Sequence, residues 1–384
     1  MARHWARRSR YLWGLVHFLA GVRKPGFVRL KFAAWRGVVG GGLALLAAGC
    51  HLDSSQKASV TLPTGHYEGP VRYQGTELRV ELDLRETTPG ELEADLRIPE
   101  LEGWETAVAG PRYTAPQLLL EPAWPSGLRI SAVREGDFLR GVFALDSIRA
   151  DFVWARRGQA APRLYQTEPL PATATTPALQ LLLPQDTAAR HPAVALFADA
   201  AHQPVAAARA AQLARQGFIT TVVAAPAPQA APDSAALQAA AAVLRALRQY
   251  PAVDTLRVGL WARGAAAAVA PAAILAKPKA AFVVLENVPL SSADAAKPLQ
   301  VLGRQRLPVL ALYAAADTSL NAKESARRLR TAIGLRRGVQ VRTFPQADAN
   351  FLLPGRLSAD GKWTWPRPAP GYVRAVQEWV KGIK

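Results

Sequence analysis

The sequence predicts an α/β fold: a mostly parallel sheet with helices on both faces, preceded by a small antiparallel β domain. Two patterns predict it. Between residues 65 and 157, apolar and charged residues alternate with period two, as in half-buried strands. Between 178 and 384, short continuous apolar runs alternate with alanine-rich helical segments, as in parallel strands covered on both sides. A stretch rich in Pro, Ala and Thr at 158–177 reads as a linker or an extended crossing segment between the two.

The bulk properties fit that layout. With 384 residues, 50% of them hydrophobic, the chain has material for two folded domains. The net charge is +18, but nine basic residues and no acid stand before residue 50, leaving +9 on the rest. That remainder is dispersed, and no basic stripe is interleaved with aromatics. Nucleic acid is therefore not expected as a partner. The single cysteine, Cys50, excludes an internal disulfide and a thiolate metal cluster.

The first 49 residues read as an address. A basic segment at 29–36 leads into a small, apolar run at 37–48, and Ala47-Ala48-Gly49 stands directly before Cys50. A charged start, a short apolar run and small residues before a cut describe a secretory signal too short to span a bilayer. Residues 1–29 lie in front of it, as an over-long start or an extended n-region. The small residues before a lone cysteine resemble the bacterial lipobox, although position 47 is alanine where leucine is usual. That resemblance implies acylation of Cys50, a polar tether at 50–64, and anchoring at the cell envelope, on the periplasmic or outer-membrane face.

In the first folded block, strands are expected at 66–73, 78–84, 92–98, 117–121, 128–132, 138–145 and 150–156, with turns at Gln74-Gly75, Pro89-Gly90 and 134–137. Short strands at that spacing argue a barrel or sandwich. Its polar groups (His66, Glu68, Asp83 and Asp95) read as a solvated face rather than a site.

In the second block, strands are expected at 178–183, 192–197, 218–224, 256–261, 281–285, 309–313 and 339–344. Helices are expected at 205–216, 234–249, from 265, at 322–333 and at 371–380. The strand at 256–261 runs into Ala262-Arg263-Gly264-Ala265-Ala266, a sharp turn of small residues before a helix. A strand, a tight turn and a helix are the parts of a nucleophile elbow.

Four stretches carry a family resemblance. VGLWARGAAA at 258–267 resembles the strand and elbow of the α/β-hydrolase superfamily. LPVLALYAAAD at 307–317 resembles the strand after which that family places its acid. FPQADANF at 344–351 resembles the loop that holds its histidine, and Pro370-Gly371-Tyr372 with Trp379 resembles its last helix. The likeness covers roughly residues 160–384. GHYEG at 65–69 resembles the opening of the β domain that precedes the catalytic domain in some secreted bacterial members, of the serine hydrolase or peptidase type.

Carried over position by position, the resemblance implies an acid at Asp317 and a nucleophile at the position of Gly264. It implies a histidine at Ala349, or one residue to either side at Asp348 or Asn350. Only the acid is of the required type. The six histidines are His4, His17, His51, His66, His191 and His202, so none follows residue 202. The family order is nucleophile, acid, histidine, and a hydroxyl without a base is a poor nucleophile. The chain therefore reads as a catalytically degenerate hydrolase scaffold, with vestigial positions Gly264, Asp317 and Ala349 and a candidate ligand pocket near His202 and Arg263. The expected function is binding or scaffolding of a small molecule or peptide. The alternatives are an active esterase or peptidase with a relocated nucleophile, among them a site rearranged around His202 and Asp317, and an anionic-surface binder using the residual +9. No cofactor is expected, nor a metal, because no His–Asp–Glu grouping has ligand spacing.

Overall fold

Alternation in the first block produces strands because each second side chain must leave water, and the strands then share one buried face. The structure, a computed structural model, describes residues 61–383 apart from 102–103, 109, 226–233 and 276–278. Cys50, the signal segment and most of the tether lie outside the described residues. Contacts gather Ala58–Lys384 into one compact unit.

The first block forms β1 (Gly65–Tyr73), β2 (Thr76–Thr88), β3 (Glu91–Arg97), β4 (Glu105–Val108), β5 (Arg112–Thr114), β6 (Gln117–Leu120), β7 (Leu128–Glu135), β8 (Phe138–Leu145) and β9 (Ile148–Gly158). All pair antiparallel in a single sheet of order β4-β3-β2-β1-β9-β8-β7-β6-β5. The expected barrel or sandwich is thus one large nine-stranded sheet. It curls so that its inner face fills one core around Trp104, Trp124, Trp154, Tyr67 and Phe143. Trp104 beside β4 and Trp124 beyond β6 lie 6.2 Å apart, which brings the two edges of the sheet together. Each buried indole contributes roughly 4–6 kcal/mol of gross transfer free energy. Two short strands, β4 and β5, escape the alternation rule because they span three or four residues each.

Part of the segment expected as a linker or extended crossing is a strand. Residues 165–170 form β10 (Tyr165–Leu170), antiparallel to β11 (Leu179–Pro184). Tyr165 is buried, and Arg163 just before it donates from Nε and Nη2 to both oxygens of buried Asp95 on β3, at 2.8 and 2.9 Å. A bidentate pair of this kind fixes a chain crossing that composition alone reads as loose.

β10 and β11 begin the second sheet. It continues through β12 (His191–Ala198), α1 (Gln203–Ala214), β13 (Ile219–Ala224), α2 (Ser234–Gln249) and β14 (Val253–Arg263). A 3-10 turn (Gly264–Val269) leads to α3 (Ala270–Leu275), then β15 (Val283–Glu286), α4 (Ala293–Ala296), α5 (Gln300–Arg304), β16 (Val309–Ala314), α6 (Ala322–Ile333), β17 (Val339–Phe344) and α7 (Tyr372–Lys381). Sheet order is β10-β11-β13-β12-β14-β15-β16-β17, with β12 to β17 parallel. Helices cover both faces. Ala193, Ala195 and Phe197 of β12 face α2, α3, α5 and α6, while Val194, Leu196 and Ala198 face α1 and α7. This is the mixed sheet with helices that the sequence implies.

Alanine lets the helices close on the sheet. On β14, Gly259 makes room for a side chain from the adjacent strand's start, since a Cβ there would lie 2.2 Å from the Phe282 ring. Two ribbons follow β17: 352–353 pairs with 367–368, and 356–357 with 363–364. They carry Leu352 and Trp365 into the core of the antiparallel sheet, joined there by Val205 of α1.

Candidate functional site

In a parallel α/β sheet the carboxyl ends of the strands open into the crevice where ligands bind. Here those ends carry Arg263 and Gly264 after β14, Glu286 and Asn287 after β15, Asp317 after β16, and residues 345–351 after β17.

Gly264 holds φ +55, the left-handed region, immediately after Arg263 in extended geometry (φ −114, ψ 138). This reversal turns strand into helix within one residue. A Cβ at 264 would meet nothing within 4 Å, so the position projects toward open space. The backbone is that of an elbow, and the residue on it has no side chain. Beside it lies a cavity of about 490 Å³, lined by Gly264, Ala268, Val288, Leu290, Pro298 and Leu299. Its one ionisable lining group, Asp294, is paired with Lys297 at 2.6 Å.

Arg263 points the other way and is buried at 5% exposure. Its Nη2 donates to the carbonyl of Ala349 and, at 3.0 Å, to Oδ1 of Asn350; its Nη1 lies 3.6 Å from Glu286 Oε2. Glu286, also buried, accepts from the hydroxyl of Tyr372. Burial raises the Tyr372 hydroxyl well above the usual phenol range, with the nearby Arg209 guanidinium opposing. Arg209 sits 4.6 Å over the Tyr372 ring and donates to the carbonyl of Asn350 at 3.4 Å. Asn287, at φ +46, donates from Nδ2 to Ala349 O at 2.9 Å and accepts from Ala314 N at 2.8 Å. Two buried arginines and one asparagine therefore clamp the loop at 349–350.

Asp317 accepts from the backbone N–H and the hydroxyl of Ser319, at 2.9 and 2.6 Å. Its loop is stitched to the next one, with Ala316 N donating to Ala347 O at 2.9 Å. Asp348 Oδ1 accepts from the N–H groups of Asn350 and Leu352, both at 2.8 Å. Burial raises its carboxyl above the ordinary value, against these two hydrogen bonds and Arg263; Asp317 adds a smaller push in the same direction as burial.

His202 is held by its own neighbour, with Nδ1 2.7 Å from Asp199 Oδ1, and makes no hydrogen bond or ion pair to Asp317. Of the other described histidines, His66 pairs with Asp83, while His191 meets the Gly217 carbonyl and Asp186. No hydroxyl is paired with an imidazole among the described residues. Ser292 caps α4, and buried Ser325 accepts from Leu290 N at 3.1 Å. Neither His202 nor Arg263 lines the apolar cavity beside Gly264. Arg263 is engaged by carbonyl, amide and carboxylate partners beneath the loop.

Sequence reasoning missed Glu286, Asn287 and Arg209. Their signal was present, as a carboxylate and an amide ending the apolar run 281–285, and a lone arginine in the alanine-rich helix at 205–216.

No family model and no curated protein matches the chain. Among solved structures, it is similar to Thermogutta terrifontis esterase 2 phosphonylated by cyclosarin, at 16% identity over 49% of this chain and 85% of that one, TM-score 0.38. A truncated carbohydrate esterase from gut microbiota aligns at 13% identity over 50% and 91%, TM-score 0.40. A dienelactone hydrolase-like promiscuous phosphotriesterase from metagenomic libraries aligns at 17% identity over 57% and 99%, TM-score 0.41. Scores of that size assign neither a family nor an activity to this chain.

Proposed function

We propose that the chain is a non-catalytic binding protein built on an α/β-hydrolase-type scaffold, exported and held at a membrane surface through acylated Cys50. One observation carries the non-catalytic half. Gly264 keeps the left-handed elbow backbone facing open space, and its neighbour Arg263 binds the carbonyl of Ala349, where the resemblance calls for an imidazole. A nucleophile, its base and the base's orienting acid must form one hydrogen-bonded chain. Here the orienting acid is engaged with Ser319 and the base position is fixed as a clamp.

The binding half rests on the cavity beside Gly264. Its size lies within the range of about 300–1,000 Å³ typical of small-molecule sites. Its lining of Ala, Val, Leu and Pro suits an apolar group, such as the side chain of a peptide or a short acyl chain. The anchoring half rests on the lipobox-like residues before Cys50.

Fractionation of cells expressing the full chain and its Cys50→Ser variant tests the anchor: the variant should move to the soluble fraction. An unchanged membrane share would refute it. Nile red titration tests the cavity. Ala268→Trp, whose exposed Cβ faces the opening, should abolish saturable fluorescence enhancement, and equal enhancement in both proteins would place the probe elsewhere.

A further inference from the structure

The opposite end of the second sheet, where the parallel strands begin, carries a surface that the crevice does not use. Basic residues dispersed along the chain are gathered there by the fold. Arg190 stands in the turn entering β12, Lys279 in the turn entering β15, Arg306 in the turn entering β16 and Arg337 in the turn entering β17, and all four are exposed. Their side chains make no hydrogen bond or ion pair among the described residues; Arg190 meets Asp254 only through longer-range attraction. The neighbouring acids are already used. Asp254 accepts from Arg257 Nε at 2.6 Å and from Leu256 N at 3.0 Å, Asp186 from Ala188 N at 2.9 Å, and Glu168 from the Tyr250 hydroxyl at 2.8 Å.

Hydrogen bonds knit these turns into one surface. His191 N donates to Ala252 O at 2.8 Å, beside Arg190. Arg248 reaches from α2 to the carbonyls of Thr255 and Lys279, at 3.2 and 2.6 Å. Val283 N donates to Pro308 O at 3.1 Å, and Val309 N to Gly338 O at 2.9 Å. Arg336 donates to the carbonyls of Leu302, Leu307 and Ile333, which ties the turn of Arg306 to that of Arg337. Neighbouring strands lie about 4.8 Å apart, so the row from β12 to β17 runs roughly 20 Å.

Among the described residues, the three most exposed large apolar side chains lie on this same edge. They are Leu256, 83% exposed, in the first half of β14; Leu335, 71%, after α6; and Leu275, 66%, at the end of α3. A single exposed leucine is ordinary, but three set among unpaired cations form a patch. That combination selects the partner. Nucleic acid would take up the cations and leave the leucines in water. A purely apolar surface would strand the cations. A bilayer with anionic headgroups offers phosphates to Arg and Lys and, just beneath them, acyl chains to Leu. We propose that the amino-end edge of the parallel sheet docks on an anionic lipid surface. The crevice at Gly264 lies at the carboxyl ends of the same strands, so it then faces away from the bilayer and stays open. This inference goes beyond the acyl anchor and does not depend on it.

The test uses the full chain carrying Cys50→Ser, which removes its single cysteine. A polarity-sensitive NBD label is then attached through Leu256→Cys or, at the opposite edge, through Thr318→Cys, an exposed position. Vesicles of phosphatidylcholine, with and without phosphatidylglycerol, are titrated in. The label reports its own surroundings, so vesicle binding through the basic residues before residue 50 does not by itself brighten it. The label at 256 should brighten several-fold with the anionic vesicles, and not with phosphatidylcholine alone; the label at 318 should respond to neither. Adding Lys279→Gln, Arg306→Gln and Arg337→Gln, all at exposed positions, should abolish the brightening while the urea midpoint stays in place. A silent label at 256, equal brightening at 318, or brightening that survives the triple substitution overturns the proposal. Equal brightening with duplex DNA in place of vesicles does so too, because it assigns the edge to polyanions at large. Failure here leaves the anchor untouched, since Cys50 is absent from every protein compared.

Discussion

The turn after β14 and the loop after β17 face the same crevice, yet they are held in different ways. At Gly264 the backbone of an elbow persists without a side chain. At 345–351 the loop persists as a clamped segment, its carbonyls held by Arg263, Arg209 and Asn287. The difference teaches where structural constraint resides. Glycine adopts the left-handed geometry at no steric cost, so the turn holds its shape without a side chain. The loop needs anchors from elsewhere for its backbone, because buried carbonyls do not remain unpaired. Here the anchors are two arginines, from β14 and α1, and the asparagine that follows β15.

The largest expected effect breaks the clamp. Arg263→Met strands buried Glu286 and removes a donor from Ala349 O and Asn350 Oδ1, which should cost about 3–5 kcal/mol in urea unfolding. Adding Glu286→Gln should recover a good part of that loss, because the two residues act as one unit. A loss below about 1 kcal/mol would mean that the clamp is solvated and does not hold the loop.

The turn should respond more weakly. Gly264→Ser meets no neighbour within 4 Å, so its cost is the left-handed backbone alone, about 1–2 kcal/mol. A larger loss would show that the open space beside the turn is occupied. The same variant supplies a hydroxyl where the resemblance calls for one, and it should still hydrolyse no ester, since no base accompanies it.

This contrast also marks what the sequence made legible. The small residues at 262–266 and the apolar run before them reveal the turn, because strand, reversal and helix are local events. Asp317 and the loop at 344–351 are placed by their order along the chain. The clamp is not legible in that way. Arg263, Glu286, Asn287 and Tyr372 come together only when three separate elements meet at one edge of the sheet. For the same reason 165–170 reads as linker until Arg163 is seen on Asp95. Strands β4 and β5 are too short for periodicity to register.

The smallest effect concerns pH and belongs to the loop. The carboxyl of Asp348 is raised by burial, while its unfolded value is about 3.9. The folded state thus keeps a proton that the unfolded chain has released. Stability from this group is complete below the unfolded value and lost as pH rises through the raised folded value. Asp348→Asn keeps an oxygen for the N–H groups of Asn350 and Leu352, and should flatten that part of the stability–pH curve. An unchanged slope would assign the loss to another group.

The central claim is that no attacking oxygen is paired with a proton acceptor at this crevice. It is tested most directly by exposing the purified full chain to a fluorophosphonate probe, alongside short-chain ester substrates. The account predicts no covalent labelling and no turnover above that of heat-denatured protein. Labelling or turnover that a single serine substitution abolishes, Ser319→Ala being the first to try, would contradict it.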